Sequence, residues 1–217
     1  MASSKRKEKQ MNPVIKALTF RHACKSFDPR KKISKAHLDM ILTAGQLSPS
    51  SFGMEAWKFI VISSDEVKKA LRPACWNQPQ ITDAGHVIVI CARPRAIDPS
   101  GDYAWKNFER RGLPEDATKT YIEKYKNHME TEVFPRMSAY AWCSKQCYIA
   151  LANIMTAAAS EEIDSCPIEG FEKEWVEKVL NIDTREYEVA VLVALGYRMK
   201  EQPPRRRHPM EQMIEYR

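Results

Sequence analysis

Apolar and polar positions change period along the chain, and the changes mark the elements. Residues 12–20 carry a short helical pattern, with Asn12 placed to cap it and Pro13 in its first turn. Residues 21–29 are irregular and end at Pro29. Ser34 caps a second helix whose apolar face is Leu38, Ile41, Leu42 and Leu47, with Ile33 and Leu38 as a hydrophobic staple. A loop follows, Ser48-Pro-Ser-Ser-Phe-Gly, rich in local hydrogen-bonding groups. Residues 57–62 read as a buried strand. Ser63 and Glu66 form a capping-box pair opening a helix to Leu71, and residues 86–92 are a second buried strand.

Residues 93–135 form an excursion with a helix from Ala117 to about Met129. A long helix at residues 137–161 is apolar nearly all round, which marks a core or interface helix. A short strand at residues 163–166, a turn at 167–171, a helix at 172–181 and a last strand at 187–197 complete the pattern. The final twenty residues are a tail. Four strands that do not alternate strictly with helices indicate α+β. Residues 12–217 read as one domain, and residues 1–11 as a disordered basic tail or expression remnant without the apolar stretch of a signal peptide.

Charge sharpens this picture. The net +6 on 217 residues is not spread evenly. Residues 5–9 hold four bases and one acid, and residues 205–207 are three arginines. With these set aside, 27 bases face 27 acids. The body is neutral, so a general polyanion-binding surface is not expected and nucleic acid is not an expected partner. No apolar run reaches the roughly 18 residues of a membrane helix. The six cysteines lack zinc spacing and are not needed as staples; they read as reduced cytoplasmic thiols. No metal site is expected.

Only seven glycines occur, and the glycine signatures of dinucleotide folds, P-loops and hydrolase elbows are absent. A phosphate held here needs side-chain cations. Arg21 and Lys25 are one candidate pair and the 205–207 triplet another. Taken singly, each reads as a solvated basic segment; together they suit a dianion. Cys24 beside Lys25 is more simply a packing residue than a reactive thiol, as are Cys143 and Cys147. The scattered histidines form no triad.

Five segments, in order, resemble the nitroreductase family of FMN-dependent oxidoreductases: RHACKSFDP (21–29), SPSSFGMEAWKFIV (48–61), WNQPQITDAGHVIVICA (76–92), CPIEGF (166–171) and PPRRRHP (203–209). RHACK and QCYIA (146–150) are most similar to the oxygen-insensitive branch that reduces nitroimidazole prodrugs. The resemblance implies an α+β fold with a mixed central sheet flanked by helices. It also implies a domain-exchanged homodimer, the long helix at the interface and the C-terminal tail wrapping the partner. Two tightly bound FMN per dimer, NAD(P)H as co-substrate and a cytoplasmic location come with it.

The resemblance also implies roles. Arg21 and Lys25 hold the FMN phosphate and pyrimidine edge, with His22 and Ala23 between them. Arg205 and Arg207 reach the phosphate from the tail. Pro49, Ser50, Ser51 and Gly53 lie in a loop given by the partner subunit. Asn77 and Gln80 lie at the flavin edge. Pro167, Ile168, Glu169 and Gly170 form the turn under the isoalloxazine, with the Gly170 N–H near N5. Lys25, Glu169 and Gly170 are the implied catalytic groups. The chain departs from the family pattern at Ala23, where serine is common, at Gly53, where asparagine is common, and at Glu55-Ala56, where Gln-Pro is usual. Gln80 stands where a lysine often supports the reduced flavin, which implies a lower reduction potential.

The implied activity is hydride transfer from NAD(P)H through flavin N5 to nitroaromatics or quinones, by a ping-pong mechanism. The excursion would line the acceptor site, with Trp105, Phe108, Tyr121, Tyr125 and Phe134 as candidates for flat aromatic substrates. Rival readings are another flavin reductase or a dehalogenase on the same fold, whose lid motifs are not visible, and a basic-tailed module for RNA or phosphates.

Overall fold

A computed structural model describes residues 11–217; the basic tail expected at residues 1–11 falls outside them, apart from Met11. Eight helices and four strands run α1 (Pro13–Phe20), α2 (Lys35–Gln46), β1 (Trp57–Ile62), α3 (Asp65–Ala74), α4 (Gln80–Asp83), β2 (His86–Ala92), α5 (Asp102–Glu109), α6 (Glu115–His128), α7 (Ala139–Ser160), β3 (Asp164–Ile168), α8 (Lys173–Val179) and β4 (Glu188–Gly196). The α+β class is observed.

The strands make one sheet in the order β1-β2-β4-β3, and every pairing is antiparallel. The mixed character expected of the sheet is limited, among the described residues, to a single parallel bridge between Ala23 and Ser165. Both faces are covered. Ile88 and Ile90 join one apolar cluster with Cys143, Cys147, Leu151 and Ile154 of α7. Val87, Val89 and Cys91, one position out of phase, join the other with Leu71 of α3 and Val176 of α8. Side chains alternate across the pleat, so burial of both faces demands an unbroken apolar run. That is why the sequence of β2 shows no alternation. A register shift at Ile90/Cys91 lets neighbouring Ala190 and Val191 of β4 enter the same cluster.

α7 is the spine. Ser138 caps it by accepting from the Ala141 N–H at 3.1 Å. Trp142, Cys143, Gln146, Cys147, Ala150, Leu151, Ile154 and Ala158 form its buried stripe at helical spacing. Tyr148 and Ile149 stay exposed on the opposite side. The caps at Asn12 and Ser34 form as the sequence indicates, to the N–H of Val14 and His37.

Two local expectations differ. The cap of α3 is Ser64, whose hydroxyl accepts from Val67, while Ser63 turns away to His86 at 2.8 Å. Adjacent serines offer the same chemistry, and the register is decided by where β1 ends. The excursion is also more structured than its composition suggests. It holds the extra helix α5, and Phe108, Tyr125 and Met129 are fully buried.

Candidate functional site

The chain leaving α1 lies against the end of the sheet. Cys24 N–H donates to the Ser165 carbonyl at 3.0 Å, Asp28 N–H to Tyr197 at 2.8 Å and Met199 N–H to Ser26 at 3.0 Å. Phe27 seals this contact. It is buried on Gly196, where a Cβ would come within 2.8 Å of its ring. Residues 21–25 are therefore fixed beside β3 by backbone bonds rather than by their own side chains.

Beneath them lies an ion pair. Arg198 clamps Asp164 through Nε at 3.0 Å and through its terminal nitrogen at 2.6 Å, and covers the Phe20 ring at 4.2 Å. His22 Nδ1 is 3.6 Å from the same carboxylate. Burial, with Arg198 next, lowers the pKa of His22. The donor atoms of His22, Cys24 and Asp164 lie within 4.8 Å of one another. Arg198 already supplies the cation that Asp164 needs, however, and burial pushes the Cys24 thiol up to about 11. The trio is a packed ion pair with a neighbouring histidine and thiol.

Above them the tail returns. Arg205 donates to the carbonyls of Thr19, at 3.0 Å, and of Arg21. Arg21 is half-buried, and its pKa is lowered by burial, then by Arg205, then by Arg207. No carboxylate forms an ion pair with Arg21, Arg205 or Arg207 among the described residues. Arg21 and Arg205 thus meet from opposite ends of the chain, with Arg207 near enough to be felt at Arg21, and none of the three pairs with a carboxylate among the described residues. Lys25 is exposed, and its Nζ donates to Cys166 Sγ at 3.5 Å.

The other wall is the turn after β3. Pro167 and Ile168 are strand residues, and Ile168 is buried. Glu169 accepts from the Tyr148 hydroxyl of α7. Burial and that carboxylate raise the Tyr148 pKa, so the phenol keeps its proton. Gln78 Nε2 donates to the Gly170 carbonyl at 2.9 Å. A Cβ at Gly170 would lie 2.5 Å from the Trp76 indole. The missing side chain at this glycine therefore makes room for an indole. The Gly170 N–H has no acceptor among the described residues. Asn77 sits next to Trp76, both at positive φ, and Gln80 is buried with its Oε1 unpartnered.

The serine loop lies elsewhere on the chain. Ser51 N–H donates to Gln146 of α7 at 2.9 Å, Ser50 Oγ accepts from Glu55 N–H at 2.8 Å, and Asn107 of α5 donates to the Gly53 carbonyl at 2.8 Å. Phe52 enters an aromatic cluster with Tyr121, Tyr125 and His128. Among the described residues, no hydrogen bond joins Pro49, Ser50, Ser51 or Gly53 to Arg21, Lys25, Arg205, Arg207, Asn77 or the 167–170 turn. Of the five candidate acceptor aromatics, Phe108 and Tyr125 are core residues, Tyr121 packs on them, and Trp105 and Phe134 are exposed. Sequence reading did not single out Asp164, Arg198, Trp76, Gln78 or Tyr148. The last three stood inside quoted segments, but nothing in spacing alone aims Trp76 and Gln78 at Gly170 or Tyr148 at Glu169.

Comparison with known proteins gives consistent matches. The family model described as "Nitroreductase family" matches residues 18–197. A Bacillus subtilis protein named "Putative NAD(P)H nitroreductase YfkO" is 37% identical, over 94% of this chain and 96% of its own. A Staphylococcus epidermidis protein named "Putative NAD(P)H nitroreductase SERP2086" is 40% identical over 88% and 91%. A crystal structure from Exiguobacterium sibiricum, of a "putative nitroreductase in complex with FMN", superposes with a TM-score of 0.80 over 95% of this chain and 98% of its own, at 23% identity.

Proposed function

From the premise that this chain belongs to the nitroreductase family, we propose that it is an FMN-dependent oxidoreductase. It takes hydride from NAD(P)H and passes it to flat acceptors, nitroaromatics or quinones, in a ping-pong cycle. The observation that carries this reading is the cluster of Arg21, Arg205 and Arg207 without a carboxylate partner. Burial first, and then repulsion from Arg205 and Arg207, lowers the Arg21 pKa; a phosphate dianion relieves that repulsion, and guanidinium forks suit its oxygens. The names of the relatives point to NAD(P)H, and the Exiguobacterium complex points to FMN.

The residues fit that cofactor. Arg21, Arg205 and Arg207 would hold the phosphate, with His22 and Ala23 between the cations, and Lys25 the pyrimidine edge. Asn77 and the unpartnered amide of Gln80 would meet the ring edge. The free N–H of Gly170 would meet the reacting edge, in the turn that Pro167, Ile168 and Glu169 introduce. FMN, when bound, supplies the hydride relay. The chain binds it, orients it and offsets charge: Lys25 stabilises negative charge at the pyrimidine. Tyr148, kept protonated, holds the Glu169 carboxylate beside the turn.

We further propose that the site is completed by a second copy of the chain. The serine loop is tied to α5 and α7, and among the described residues no hydrogen bond joins it to the cation cluster of its own chain. Val14 and Leu47 are exposed in the lining of a 380 Å³ cavity between α1, α2 and α7, and Ile15 and Leu18 of α1 are exposed as well, which suits a partner surface. The tail carries Met210, Met213, Ile214 and Tyr216 exposed, as expected of a segment that packs on another subunit. Pro49, Ser50, Ser51 and Gly53 would then reach the partner's cofactor.

Purified protein is expected to show flavin absorbance, as isolated or after reconstitution with FMN, and to bleach anaerobically on adding NADPH or NADH. A nitroaromatic or quinone should restore the colour. Protein that retains no flavin after reconstitution would falsify the reading.

A further inference from the structure

Trp76 draws attention because its placement works against its own stability. Its indole is 64% exposed, so burial gives it little. Yet it and Asn77 both adopt left-handed backbone, φ 53° and 55°, which side-chain-bearing residues avoid. Such conformations persist where surrounding bonds over-determine them. Here the Asn77 N–H donates to the Arg72 carbonyl at 3.1 Å, and Arg72 Nε donates to the Asn77 carbonyl at 3.0 Å. The strain has one evident product: the double left-handed step lays the indole on Gly170.

The contact is close on every side. Indole carbons lie 2.5 and 2.8 Å from where a Gly170 Cβ would stand. Trp76 Nε1 donates to Glu172 Oε1 at 3.0 Å. Gln78 Nε2 holds the Gly170 carbonyl at 2.9 Å and the Cys75 carbonyl at 3.1 Å. Glu172 N–H returns to the Ala74 carbonyl at 2.8 Å. The turn at residues 169–172 is thus pinned to the end of α3 by ring, carbonyl and backbone at once. Among the described residues the Gly170 N–H has no acceptor.

We propose that Trp76 is a positioning residue: its indole, with Gln78, fixes the direction of the Gly170 N–H toward the cofactor edge. This rests on the FMN reading above. The peptide that carries the Gly170 N–H is otherwise held by one bond, from the Phe171 N–H to the Glu169 carbonyl at 3.0 Å, and a misaimed donor loses most of its bond, since hydrogen bonds weaken steeply off axis. A tenfold loss in rate needs only about 1.4 kcal/mol of transition-state stabilisation. Trp76 touches no reacting atom; it acts through Gly170.

The sequence supplies a direct readout. Glu169-Gly170 is the only Glu-Gly pair in the chain. Labelling glutamate at its carbonyl carbon and glycine at nitrogen therefore isolates the Gly170 amide by NMR. In the wild type, FMN should move that resonance strongly. In Trp76→Ala the shift should fall to less than half and hydride transfer from NADPH to bound flavin should slow about tenfold, with FMN affinity within twofold of wild type. Trp76→Phe, which keeps a ring over Gly170, should recover most of both. Should the alanine variant not fold, Trp76→Leu, which keeps bulk but not the flat ring, is expected to behave as alanine. The proposal is overturned if the Gly170 resonance and the rate match wild type in the alanine or leucine variant. It is also overturned if affinity falls in step with the rate, which marks general loss of structure. Wild type that binds FMN with the Gly170 resonance unmoved sinks this inference alone; wild type that does not bind FMN sinks the functional reading and this with it.

Discussion

At the scale of single residues, the cysteines separate composition from environment. Six thiols in 217 residues invite redox or metal readings, but all six are free and buried. Burial pushes Cys24 up to about 11 and Cys75, Cys91 and Cys143 up to about 12. Burial also raises Tyr125, whose hydroxyl donates to the Ile97 carbonyl at 2.7 Å. The sign for stability follows. Folding holds these acids protonated, whereas the unfolded chain releases the thiol protons near pH 9 and the phenol proton near pH 10. Their stabilising contribution is complete below the lower of these and is lost as pH climbs toward 11 and 12, at up to about 1.4 kcal/mol per pH unit for each thiol. Denaturant titrations should therefore show falling stability above pH 9. Native protein at pH 8 should react with an aromatic disulfide reagent only as fast as it opens. Prompt reaction of one thiol would remove that cysteine from the buried set.

At the scale of elements, the cation cluster joins the end of α1 to the tail. Arg205 caps the last carbonyls of α1 and its exit, at Thr19 and Arg21, which a helix C-terminus favours. The same bonds bring Arg205 and Arg207 to Arg21. Replacing Arg21 or Arg207 by alanine is expected to weaken FMN binding roughly tenfold or more, the scale of one lost charged hydrogen bond. Fluorescence titration at rising salt should show a shallower salt dependence in the variants, because fewer charge contacts remain to be screened. A slope equal to wild type would take the arginine out of the phosphate site. The excursion teaches a complementary lesson. Its polar composition reads as surface, yet α5 and α6 bury Phe108 and Tyr125 against Phe52 and so shape the serine loop.

At the scale of the molecule, no hydrogen bond among the described residues joins the serine loop to the cation cluster or to the 167–170 turn. The tail offers the sharpest test. Truncation after Pro209 keeps Arg205 and Arg207 but removes Met210, Met213, Ile214 and Tyr216, all exposed. Sedimentation should show a wild-type dimer and a weaker one in the truncated chain, with FMN retention falling at low protein concentration, where subunits separate. A dimer of unchanged affinity would mean that the tail does not clasp the partner.

Local chemistry fixed much of this protein from its sequence. Asn12 and Ser34 cap helices because each offers a side-chain acceptor to the free N–H groups of a first turn. β2 and β4 were legible because a strand covered on both faces must be apolar throughout. The order of five motifs named the family and proposed the arginines. What spacing did not carry were relations across distance. The Ser63/Ser64 register, the Asp164–Arg198 pair and the packing of Phe108 and Tyr125 each depend on which elements meet. The role of Gly170 shows the reason most plainly. The sequence says that a side chain is absent there; only the fold says that Trp76, 94 positions earlier, fills the space it leaves.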